Sequence, residues 1–311
     1  LISNNKVFCT DRVGDGEAIA FDDNHNERGF KELQKVLSAT DDTVSVKGPW
    51  EMSIQGYFKE SVPNHYNQHW VSIVDGKGLG QLRRITSYGE DEPVTITVSP
   101  PWDVIPDTSS IVVVTRTTWN VYMVDNIVDE SKDIGCKNKN TNNIHSYGKL
   151  GLMGMSTDFA IAGNRLKNAG GIPASGSGQY DLHNRDDLSS WYFNGWQVLN
   201  GEIHNNVIDG YEHTDGSGYG GIFLFYGATL NTNVYDQEEG EKNPQLYHAL
   251  PSLVQGYNVR IAGNTITNAK GGGITLRAGY SLPDPKLTPY QLKNTLIFHN
   301  KLKDIPYSKV Q

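Results

Sequence analysis

The sequence predicts an all-β solenoid carrying a small antiparallel β-domain near its N-terminus. Two observations predict the solenoid. A short motif recurs around Asn126, Asn164, Asn206, Asn264 and Asn300, with Met123, Ile161, Ile203, Ile261 and Ile297 three residues earlier. Two residues after each Asn stand Val128, Leu166, Ile208, Ile266 and Leu302. The copies lie 38, 42, 58 and 36 residues apart, by difference of the Asn numbers. A constant local motif at unequal intervals means a fixed coil with loops of variable length, and such periods belong to repeat architectures. A third observation predicts the separate domain: residues 41–118 alternate apolar and polar residues in short runs, yet contain no copy of the motif.

The clearest single coil is Val259 to Tyr280. Ile261, Ile266 and Ile274 share one interior, and Arg260, Thr265 and Thr267 alternate away from it. One such pass cannot bury its own apolar face, so it needs copies above and below. The Asn is expected to take the left-handed backbone of a sharp bend and to hydrogen-bond from coil to coil. Gly163 and Gly263 just before it suit the same bend.

This repeat resembles the right-handed parallel β-helix proteins of the pectate-lyase-like superfold. The likeness runs from Trp119 to the C-terminus and takes in the first forty residues. It implies an extracellular or cell-surface protein that handles carbohydrate. It names no specific family, and it speaks to fold more than to chemistry.

The elements follow in order. Residues 1–40 are expected to hold a first coil and a capping helix over Gly29–Leu37, with Phe30, Leu33, Val36 and Leu37 on one face. The acidic run Asp11, Asp15, Glu17, Asp22 and Asp23 is dense in hard oxygen ligands. Ca²⁺ is therefore a possible ligand, though none is required and the spacing is not that of an EF-hand; Asp-rich turns are the ordinary reading. Residues 41–118 read as an inserted barrel or sandwich. Its Gly76, Gly78 and Gly80 lie between two strands, so they mark a hairpin and not a phosphate loop. Trp50, Trp70 and Trp102 there suit sugar stacking, or core and interdomain packing. Residues 119–311 form the main solenoid.

Net charge is −8 with no Lys/Arg cluster, which argues against nucleic acid and anionic membranes as partners. No apolar run is long enough to insert into a bilayer, and no signal-peptide pattern opens the chain. Cys9 and Cys136 are too few for a disulfide framework; they pair with each other or stay as buried thiols. The chain starts at Leu1 without Met and ends at Gln311 with no evident cap, so both ends read as cut. Oligomeric state is not legible.

Long excursions are expected at Pro173–Trp196, Ala228–Gln255 and Ser281–Gln291, each after a Gly-rich strand. If those strands stack, the three excursions frame one groove suited to a polysaccharide. The candidate catalytic residues are Asp186, Asp187, His213 and Asp215. The candidate substrate-binding residues are Tyr180, His183, Arg185, Trp191, Tyr219, Tyr226, Arg277 and Tyr280. Asp209 joins the same acidic set, and no metal ligands are assigned. Carboxylates paired across a scissile bond suit glycoside hydrolysis. The arrangement is similar to the three Asp residues of the polygalacturonases, but the GHG and RIK segments of those enzymes are absent, so their roles are not carried over. A polysaccharide lyase would instead use Lys270, Arg277 and His213 or Tyr219 around a uronate. A non-catalytic adhesin or tail-fibre module would use the aromatics alone. Solvated acids and loop-packing aromatics are the plain alternatives for every one of these residues.

Overall fold

The computed structural model describes residues 1–8, 10, 17–22, 34–47, 69–89, 91–115, 117–131, 148–153, 156–181, 192–193, 198–210, 220–230, 253–269, 272–278 and 290–305. Within them the chain is a right-handed parallel β-helix of three sheets, with a closed antiparallel barrel inserted after its first coil. Sheet A runs through Ile2–Ser3, Thr118–Val124, Ser156–Ala162, Val198–His204, Leu253–Ala262, Tyr290–Lys293 and Leu296–Phe298. Sheet B takes Lys6–Val7, Ile127–Asp129, Arg165–Ala169, Val207–Gly210, Thr265–Thr267 and Lys301–Lys303. Sheet C takes Glu17–Asp22, Lys149–Met153, Ile172–Asp181, Ile222–Leu230 and Ile274–Ala278.

The expected coil register holds. Met123, Ile161, Ile203 and Ile261 stack in sheet A, and Val128, Leu166, Ile208 and Ile266 stack in sheet B. All eight are buried, and sheet C closes the core with Leu150, Leu152, Ile172, Ala174, Ile222 and Leu224. In the last coil the equivalents are not covered: Ile297 is 40% exposed and Leu302 48%. Full burial of such a side chain stabilises by roughly 1.5–3 kcal/mol, and these two positions forgo much of it.

The Asn residues form a continuous interior ladder. Asn126, Asn164 and Asn206 each donate their backbone N–H and side-chain Nδ2 to the Oδ1 of the next coil's Asn, at 2.9–3.0 Å. Asn264 does the same to Asn300 at 2.9 Å. The ladder begins one coil earlier than the repeat suggested, because Asn5 donates to Asn126 at 3.1 and 2.9 Å. The left-handed residue, however, is the one before each ladder Asn. Asn4, Asp125, Gly163, Asn205, Gly263 and His299 have φ of 58, 56, 67, 56, 67 and 55°. The expectation placed that strain one residue late. The ladder Asn is selected by its hydrogen bonds, and its neighbour makes the bend. The two glycines are also steric, since a Cβ at Gly163 would overlap Asp125 Oδ1 and one at Gly263 would overlap Asn205 Oδ1.

The expected capping helix is corrected. Gln34–Ala39, which includes its last four residues, is a barrel strand pairing with Val46 and with Ile111–Val112; residues 29–33 lie outside the described set. Gln34 and Val36 are buried whereas Lys35 and Leu37 are exposed, a period of two. Pairing with two strands overrides a run that reads as helical by local preference. The barrel order is Gln34–Ala39, Thr43–Val46, Val94–Ser99, Leu82–Tyr88, Trp70–Asp75 and Ile111–Thr115, closing on itself. It thus starts before Asp41. Its core holds Val36, Val44, Val46, Val71, Ile73, Ile85, Val94, Ile96, Val98, Trp102, Val112 and Val114.

The barrel rests on sheet A. Trp70 meets Trp119 with ring centroids 5.3 Å apart, and Gly80 lies so close to Tyr257 that a Cβ there would overlap the ring. Gly76, Gly78 and Gly80 make the hairpin expected of them, with φ of 76, 83 and 90°. Trp102 is a core residue with Arg83 over its ring at 5.6 Å, and Trp70 serves interdomain packing. Trp50, Cys9 and Cys136 lie outside the described residues.

Candidate functional site

Sheet C positions the expected groove. Ile172–Asp181 and Ile222–Leu230 pair in parallel without a break, from Ile172 with Ile222 to Tyr180 with Leu230. Ile274–Ala278 continues the stack, with Ile274 opposite Ile222 and Ala278 opposite Tyr226. The segments that follow these three strands therefore start from the same edge on successive coils. A short strand, Tyr192–Phe193, folds back antiparallel on the first, pairing Tyr180 with Phe193 and Asp181 with Tyr192.

The excursion boundaries differ from expectation: the second was expected over Ala228–Gln255 and the third to Gln291, but strands run on to Leu230 and begin at Leu253 and Tyr290. The first excursion was expected from Pro173, but sheet C continues to Asp181. The segment PASGSGQY has the Gly, Ser and Pro of a loop, yet its backbone pairs with a neighbouring coil, and that pairing decides. Inside this sheet Leu150, Leu152, Ile172, Ala174, Ile222 and Leu224 face the core.

The structure puts three of the candidate residues on that sheet. Tyr180 pairs with Leu230 and Phe193, Tyr226 with Gly176 and Ala278, and Arg277 with Phe225. Asp186, Asp187, His183, Arg185, Trp191, His213, Asp215, Tyr219, Lys270 and Tyr280 lie outside the described residues. Asp209 does not belong with them. It sits in sheet B and accepts hydrogen bonds from Thr267 Oγ1 at 3.2 Å and Asn268 Nδ2 at 2.7 Å on the next coil. Those contacts tie coils together and give the carboxylate a structural role on sheet B, away from the sheet C strands that carry Tyr180, Tyr226 and Arg277.

Glu130, largely buried, accepts from the Thr10 N–H at 3.1 Å and the Thr10 hydroxyl at 2.9 Å, holding the N-terminal segment against the coil. Arg83 donates to Pro101 O and Leu82 O, both at 2.9 Å, and pairs with Asp103 at 2.7 Å. Partial burial lifts the Asp158 carboxyl above the ordinary carboxylate range. Asp107 is held below that range, first by the Ser109 hydroxyl and then by the Ser109 N–H. Among the described residues no group of three or more His, Cys, Asp or Glu could hold a metal ion.

No family model matches the chain, and no curated protein matches it. The solved structures that the chain is similar to include three phage tailspikes. The tailspike protein gp49 of Pseudomonas phage LKA1 is 9% identical with a TM-score of 0.31, covering 89% of this chain and 45% of its own. The tailspike gp61 of Pseudomonas phage phi297 is 10% identical with a TM-score of 0.26, covering 96% and 53%. The Gp54 tailspike of Acinetobacter baumannii bacteriophage AP22, solved in complex with A. baumannii capsular saccharide, is 11% identical with a TM-score of 0.22, covering 87% and 45%. The chain spans about half the length of each. The assignment as a parallel β-helix rests on the chain's own sheet register.

Proposed function

We propose that the chain is an extracellular or cell-surface polysaccharide depolymerase that holds its glycan along the edge of sheet C. The observation that carries this reading is the stacking of Ile172–Asp181, Ile222–Leu230 and Ile274–Ala278. Three segments rich in acids and aromatics leave those strands from one edge, and a stiff parallel sheet beneath them suits an extended polymer. The reaction favoured is glycoside hydrolysis. Asp186, Asp187 and Asp215 are the candidates for the acid and base, together with His213. Tyr180, His183, Arg185, Trp191, Tyr219, Tyr226 and Tyr280 would bind sugar rings and hydroxyls. No cofactor is needed for this chemistry, and Ca²⁺ remains an optional ligand.

A second reading, β-elimination from a uronate polymer, is supported by the position of Arg277 on the same sheet, opposite Phe225. There Arg277 would neutralise the uronate carboxylate while Lys270 or His213 takes the neighbouring proton. One assay separates the readings. The chain is incubated with a panel of neutral and acidic polysaccharides, and new reducing ends and the ultraviolet absorbance of unsaturated products are followed together. Reducing ends alone support hydrolysis, and absorbance as well supports the lyase. Silence in both, with glycan binding retained, hands the surface to a non-catalytic adhesin. Asp187→Asn and Asp215→Asn are each expected to slow hydrolysis by at least about a hundredfold. Unchanged turnover in both variants would remove those residues from the mechanism.

A further inference from the structure

Sheet A carries a surface that the sheet C reading does not use. A second column of left-handed residues crosses it: Asn120, Asp158, Asn200, Asn258 and Asn294, with φ of 52, 50, 50, 55 and 52°. In register these stand one residue after Trp119, Thr157, Leu199, Tyr257 and Lys293. The column is a line of short amide and carboxylate side chains, one per coil. Asn258 Nδ2 donates to Asn200 Oδ1 at 3.0 Å, so two members meet across the coil spacing.

Two outward rows run beside the column. One is Tyr122, Ala160, Glu202, Arg260 and Leu296; the other is Val124, Ala162, His204, Ala262 and Phe298. Ala162 and Ala262 are buried under their neighbours, so the second row offers Val124, His204 and Phe298 to a ligand. Glu202 lies 3.8 Å from Arg260 and 3.6 Å from His204, so its charge is answered on the spot. On the other side of the column the barrel forms a wall, through Trp70 on Trp119 and Gly80 on Tyr257. At the first of the five strands two aromatic side chains stay in solvent, Trp119 at 47% and Tyr122 at 44% exposure.

We propose that this barrel-walled strip of sheet A is a second binding surface, taking a neutral linear oligosaccharide laid across the coils. Each feature fits that ligand. Exposed aromatic faces stack on pyranose rings and need no charge partner. Amides and carboxylates accept and donate to ring hydroxyls. The coil spacing of about 4.8 Å is close to the length of one pyranose in an extended chain, and five strands span about 19 Å, enough for a tetrasaccharide. The charges on the strip, Glu202 and Asp158 against Arg260 and Lys293, balance, which favours a neutral chain over a uronate or sulfated one. This surface extends glycan handling to a place separate from sheet C, and it is tested by its own variants.

The test titrates cellotetraose, laminaritetraose, maltotetraose and chitotetraose, each to about 10 mM, against the full chain, read by saturation-transfer NMR. At least one is expected to bind. Tyr122→Ala and Asn258→Gly, both at exposed positions and the second keeping the left-handed backbone, should each weaken it about tenfold with little change in the unfolding midpoint. The double variant Asp187→Asn/Asp215→Asn should bind as before, which keeps failure of the sheet C reading distinct from failure here. Absence of binding by all four sugars would overturn the proposal. So would binding that survives both sheet A variants, or that is lost only with the sheet C residues.

Discussion

The ladder Asn side chains show how much one residue can hold. Asn206 donates through N and Nδ2 to Asn264, donates again to Ile161 O at 2.8 Å, and accepts from Asn164. Removing it leaves several buried groups without partners, each costing about 1–3 kcal/mol. Asn206→Ala is therefore expected to destabilise by at least about 3 kcal/mol in denaturant unfolding. Asn300→Ala, at the part-buried end of the ladder, should cost clearly less; equal losses would show that the ladder is not what holds the coils. Asp158 allows a pH test. Its folded pKa is raised by burial, so the folded state keeps a proton that the unfolded chain has already lost. Stability from this group is present below the unfolded value of 3.8 and falls as pH rises toward the raised folded value. Asp158→Asn, which also suits φ of 50°, should stabilise the chain at neutral pH and lose that advantage in acid. A stability difference independent of pH would sink this account.

At the scale of elements, the barrel and the β-helix have separate cores joined through a few contacts. The barrel core centres on Val44, Ile73, Ile85 and Ile96, and the helix core on the stacked Ile and Leu columns. Gly80 has φ of 90° and no room for a Cβ against Tyr257. Gly80→Val is expected to loosen the barrel from sheet A and split thermal unfolding into two transitions. A single transition, merely shifted, would mean that the two cores unfold as one unit regardless of this contact. Short strand runs with strict alternation made the barrel legible in the sequence. Gln34–Ala39 was not legible, because Gln34 and Lys35 stand together before Val36 and Leu37, an order that shows no alternation until the partner strands are known.

Across the whole molecule, stability should grade along the solenoid. Interior coils are covered on both sides, whereas Leu296, Ile297 and Leu302 are exposed at 59, 40 and 48%. Hydrogen exchange is expected to be slowest at Asn164 and Asn206 and much faster at Leu296–Lys303. Uniform protection would mean that the terminal coil is held as firmly as the centre. Such gradation is natural for a repeat stack, in which each coil depends on its neighbours.

The sequence by itself determined the coil. Asn with apolar residues at −3 and +2 specifies one interior, and five matched copies leave little choice but to stack them. It also pointed to a separate antiparallel unit after the first coil, since the motif stops there, although the barrel begins by Gln34 and Thr118 already belongs to sheet A. Only the tertiary structure decided where the bend lies, because the left-handed residue beside each ladder Asn varies among Asn, Asp, Gly and His. It also decided that sheet C runs on to Asp181 and that Asp209 belongs to sheet B. The candidate acids were chosen from composition and loop length alone, whereas the sheet A strip went unread. Its members share no single residue type. They become one surface only when coils 36 to 58 residues apart in sequence are laid side by side, and no local pattern encodes that neighbourhood.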